Sequence, residues 1–123
     1  MSVTGRRNPW AVHEVDPAVA ERIAAAHVPD PDALRMGVDI VGDPHREDNE
    51  GFNWTRLRCT RNIADVIPGS TVVMGSSIGR YLAKVIAWDF EVSDDDPIVT
   101  LELLPVTPDS IERALARCRP PKA

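Results

Sequence analysis

Six consecutive polar residues, His45-Arg46-Glu47-Asp48-Asn49-Glu50, are the densest group in this chain able to do chemistry. A histidine among carboxylates suits metal ligation or proton exchange. Catalytic carboxylates, however, need an apolar or paired setting that shifts their pKa values. A run this polar reads first as a solvated loop. Asp94-Asp95-Asp96, with Asp89 and Glu91 upstream, offers hard oxygen ligands. A calcium loop alternates its ligands and places a glycine at its sharp turn, and neither feature is present. The run reads as a charged hairpin tip that discourages pairing with other strands.

Aromatics and arginines interleave at Phe52, Trp54, Arg56, Arg58 and Arg61. That mixture suits base stacking with phosphate contact. The competing reading places the aromatics in the core and lets the arginines neutralise the acidic segments around them. Trp54, Arg56, Arg58, Arg61 and Arg80 form one candidate binding surface. A small enzyme pocket built from His45, Glu47 and a sheet residue such as Tyr81 is a third possibility. Gly75-Ser76-Ser77-Ile78-Gly79 lacks the lysine and following helix of a phosphate loop, and no Gly-x-Ser-x-Gly elbow occurs. Cys59 has His13, His27 and His45 as conceivable partners, yet nothing in the sequence brings one close, so it reads as an inert buried thiol. No cofactor or metal site is predicted.

The 123 residues suit one domain, and 43% hydrophobic against 27% charged residues marks a globular chain rather than a disordered one. Two cysteines, Cys59 and Cys118, are too few for a disulfide framework. No apolar run approaches the roughly 20 residues of a membrane helix. Arg6-Arg7 is followed by Asn8-Pro9-Trp10 instead of an apolar export signal, so a cytoplasmic location is expected. Basic residues are twelve arginines to two lysines, a bias resembling a bacterial-type, GC-rich coding sequence. The formal net charge of −5 is arranged in blocks. Residues 13–50 carry −7 and 89–112 carry −8, while 51–63 carry +3 and 113–123 carry +4. An acidic chain repels nucleic acid unless folding gathers its arginines.

The elements that must position these groups are marked by prolines and glycines. Residues 1–12 lack periodicity and read as a flexible arm before a single domain over 13–123. Asp16-Pro17 caps and starts a helix that Pro29 stops, with Val19, Ile23 and Ala26 as a narrow apolar stripe. Pro29-Asp30-Pro31-Asp32 reads as a stiff connection, and 36–41 as a short strand with Val38 and Ile40 on one face. Phe52–Cys59 is a strand with a break near Thr55, and Asn62–Val66 one helical turn. Ile67-Pro68-Gly69 predicts a type II turn. The strand Ser70–Gly75 follows it. Ile78–Val92 is too long for one flat strand and predicts a bend or bulge. From Tyr81 to Trp88 both faces are apolar, so cover is needed on both sides. Ser93–Pro97 turns the chain into a returning strand, 98–104. Thr107-Pro108 starts a C-terminal helix, 108–118, with Ile111, Leu115 and Cys118 on one face; it is the nearest candidate for the cover.

The fold class that follows is α+β, mainly β: a small curled antiparallel sheet with a meander core at 70–104 and a helix at each end. The Pro-Gly turn, strand, glycine loop and long bent strand over residues 66–105 are similar to small SH3-like barrels, here partly open. Such a fold hosts many functions. With no catalytic constellation, the expected role is a non-enzymatic protein-binding or assembly module, with a protein partner or a homo-oligomer. A nucleic-acid-associated barrel using Trp54 and its neighbouring arginines is the alternative.

Overall fold

The computed structural model describes residues 15–105. The expected arm (1–12) and C-terminal helix (108–118) lie outside the described residues. Helix α1 spans Pro17–Ala26, and the Asp16 carboxylate accepts from the Ala18 N–H, as its Asp-Pro start requires. The same device then recurs where the sequence suggested a connector. Helix α2, Pro31–Met36, is capped by Asp30, whose carboxylate accepts from Asp32 N–H, and ends at Gly37 with φ 70°. The second Asp-Pro pair nucleates a helix because Asp32-Ala-Leu-Arg-Met follows without a breaker.

This helix shortens the strand expected at 36–41. Strand β1 is Ile40–Val41 alone. Val38 lies ahead of it and packs with Ala33, Val73 and Leu82, whereas Ile40 belongs to the main core, so the two do not share a face. Strand β2 is Asn53–Arg56, and the chain breaks into a 3-10 turn at Leu57–Cys59 rather than near Thr55. A second 3-10 turn, Ile63–Asp65, is capped by Asn62. The type II turn is present: Gly69 has φ 96° and Ser70 N–H donates to Ile67 O. Strands β3 (Thr71–Gly75), β4 (Arg80–Asp89) and β5 (Ile98–Leu103) form the meander.

The five strands lie in the order β1-β3-β4-β5-β2. All neighbours are antiparallel except β1 and β3, which run parallel. The sheet is a nearly closed, SH3-like barrel because the segment after β2 returns to the far edge. Ile40 bridges Thr60, Arg61 N–H donates to Asp39 O at 2.8 Å, and Thr55 Oγ1 donates to Val41 O at 2.8 Å. Two edges that would template aggregation thereby satisfy each other.

The long strand carries the expected bulge. Val85 pairs with Leu101 but Ala87 with Thr100, so Ile86 and Ala87 together oppose one residue. The extra residue shifts the alternation by one. Ala83 and Val85 before it and Trp88 after it all enter the barrel core with Val72, Met74, Val99 and Leu101. Ile86 and Ala87 pack outside with Phe52. Leu82 and Val73 pack on the other face of the sheet, against Ala33 and Met36 of α2. Part of the second cover is therefore the helix the sequence concealed. Inside, Trp88 Nε1 donates to Val66 O at 2.8 Å, which satisfies the one polar atom of a buried indole.

Candidate functional site

The five residues proposed from sequence have different surroundings. Trp54 is half-buried on β2, and Arg46 stacks over its ring at 5.1 Å. Arg56 and Arg58 both turn toward Asp96 of the β4–β5 loop. Arg56 Nη1 lies 3.6 Å from Asp96 Oδ2 and donates to the Asp96 carbonyl, while Arg58 N–H donates to Oδ1 at 3.0 Å. Arg61 sits across the barrel seam, 3.8 Å from the buried carboxylate of Asp39. Arg80, at the start of β4, donates to Met36 O at the end of α2. Four arginines thus meet three joints of the fold, Asp96, Asp39 and Met36 O, the first two through carboxylates.

The 45–50 cluster is an ordered loop. Asn53 Nδ2 donates to Pro44 O at 2.8 Å, with longer contacts to the carbonyls of Asp43 and Arg46, and the Asp48 carboxylate accepts from Glu50 and Phe52 N–H. His45 lies 3.5 Å from Asp43, on an exposed face, whereas Tyr81 packs against the barrel core. Among the described residues no three His, Cys, Asp or Glu side chains are grouped to hold a metal ion. No helix among them is long and apolar enough to cross a membrane.

Sequence reasoning passed over the corner where α1 meets α2. His27 caps α1, and Thr60 O accepts from its Nε2 at 2.8 Å and from Asp30 N–H at 3.1 Å. An imidazole nitrogen facing a carbonyl must carry its proton, so the ring is fixed as an Nε2–H donor. Two grooves open on either side of this ring. One, of about 520 Å³, is lined by Ala24, His27, Pro29, Leu34, Asn62 and Asp65, together with Arg61. The other, of about 480 Å³, is lined by the buried Ile23, Leu57 and Ile63, by the exposed Ala26 and Val28, and by the ion-paired Arg22 and Asp95. Val28 is 77% exposed and Leu34 55% exposed. The available signal was Leu34 itself: Ala33 and Met36 form the buried side of α2, which turns Leu34 outward. That is legible once the helix is recognised.

No family model, no curated protein and no solved structure matches this chain.

Proposed function

We propose that this domain is a non-enzymatic protein-binding module, and that the α1–α2 corner is where it binds. The observation that carries this reading is the exposure of Val28 and Leu34 beside two grooves with apolar walls. Exposed apolar side chains are ordinary one at a time. Set around grooves, they match the anchor-and-pocket anatomy of protein interfaces. The corner is also cross-linked by hydrogen bonds, since Asp30 N–H and His27 Nε2 both bond to Thr60 O.

The nucleic-acid reading stays second. A phosphate-binding surface gathers guanidiniums on one exposed face free of carboxylates, whereas Arg56 and Arg58 lie beside Asp96 and Arg61 beside Asp39. Arg46, over the Trp54 ring, is flanked along the chain by Asp43, Glu47, Asp48 and Glu50. We place the module in the cytoplasm, where Cys59, a free thiol, stays reduced.

Affinity capture with the tagged full chain tests the reading. A partner is expected whose recovery falls at least tenfold with Leu34→Asp or Val28→Asp. Ile78→Asp, at a 62% exposed site on the β3–β4 hairpin, should leave recovery unchanged. Equal recovery from all variants, or salt-insensitive monomers with no partner at all, would count against it.

A further inference from the structure

Resting on that reading, we infer the chemistry of the partner: a protein segment with an apolar anchor flanked by lysines or arginines. Residues 15–105 carry sixteen Asp and Glu against eight Arg and Lys, a net charge of −8. A second copy presents the same sign, so self-association through this corner works against long-range repulsion, whereas a basic segment is steered toward it.

The local groups agree with the global sign. In the groove beside Leu34, Arg61 is committed to Asp39 and its side chain is 20% exposed. His27 directs its Nε2 proton to Thr60 O. The carboxylate of Asp65 forms no ion pair or hydrogen bond among the described residues. Asp30, which follows the lining residue Pro29 in the chain, uses its carboxylate to cap α2, accepting from Asp32 N–H at 2.8 Å, which leaves its charge uncancelled. Asp32 is already matched by Arg35 at 2.7 Å. The unspent charge around the Leu34 groove is thus negative, and its walls are Ala24, Pro29 and Leu34. A leucine-sized side chain with a neighbouring ammonium or guanidinium satisfies both.

Three otherwise identical short peptides, Leu/Lys, Leu/Ser and Leu/Glu, titrated into the isotope-labelled full chain separate the two claims. The Leu/Lys peptide should give saturable amide shifts at Ala24, Val28, Leu34 and Asp65. Leu34→Asp should weaken it roughly tenfold, as loss of an interface anchor does. Asp65→Asn should weaken it about threefold at low salt and remove part of its salt dependence, as expected for an exposed charge pair. Leu34 is exposed and Asp65 partly exposed, and unchanged shifts elsewhere report an intact fold. If the Leu/Ser peptide binds the same corner as tightly as Leu/Lys, the charge inference is overturned while the binding reading survives. If no peptide perturbs the corner, the binding reading itself is overturned. The chain's own residues 107–119 combine apolar and basic side chains. Tighter peptide binding in an Arg113→Gln/Arg117→Gln variant would show that this chain supplies the occupant, and would overturn the inference of a separate partner.

Discussion

Arg61 holds its guanidinium 3.8 Å from the Asp39 carboxylate, and its own backbone N–H donates to the Asp39 carbonyl at 2.8 Å. The same carboxylate accepts from Val73 N–H at 2.8 Å through Oδ2. Asp39 is fully buried. One side chain thus extends the β1–β3 ladder past the end of β1 and meets the strap that closes the barrel. Breaking a buried pair strands a charge, so Arg61→Ala is expected to cost about 3–5 kcal/mol, and Asp39→Ala a similar amount. The double variant should cost clearly less than the sum of the two, read from urea midpoints. Additive losses would mean that the two residues do not act together.

The bulge makes a second expectation. Ile86 is fully buried and packs outside the barrel with Phe52. Ile86→Ala should cost about 2–5 kcal/mol, as for other large-to-small changes in a packed interior. Combining it with Phe52→Ala should show coupling, because each cavity borders the other. Independent effects in chemical denaturation would argue against that contact.

Trp88→Phe keeps most of the ring but removes the donor to Val66 O. The buried carbonyl then lacks this partner, and a loss of about 1–3 kcal/mol is expected. Thermal unfolding of the two proteins measures it directly.

Two glycines should differ in cause and size. Gly37 sits at φ 70° with open space around its α-carbon, so Gly37→Ala meets backbone strain alone and should cost about 1–2 kcal/mol. A Cβ at Gly75 would lie 2.7 Å from Val38 Cγ1 and 3.3 Å from Met36 Sδ. Gly75→Ala forces the packed layer beneath α2 to shift and should cost about 1–3 kcal/mol through overpacking. Amide shifts should stay local to the α2 C-terminus in the first variant and spread across Val38, Val73 and Leu82 in the second.

Local grammar carried most of the fold. Asp16-Pro17, Asn62, Pro68-Gly69 and the over-long apolar run at 78–92 each named a cap, a turn or a bulge that the structure contains. Asp30-Pro31 used the same grammar as Asp16-Pro17 but was hidden, because two prolines and two aspartates in four residues read as a connector. Burial of Asp39 was illegible: a lone aspartate between Val38 and Ile40 looks like the polar side of an exposed strand. Its partners, Arg61 and Val73, lie 22 and 34 residues away. The partners of the arginines were illegible for a related reason. Arg56 and Arg58 meet Asp96 because the β4–β5 loop folds back beside β2, and Arg61 meets Asp39 across the barrel seam, pairings that sequence spacing does not show. The α1–α2 corner followed from the missed helix.

The binding claim is tested most directly by placing a photoreactive residue at position 34 of the full chain and irradiating the cells that make it. The expected result is one dominant adduct to a basic segment of another protein, which disappears when the photoreactive residue is placed at 78 instead. No adduct at 34, or the same adducts from both positions, would contradict the account.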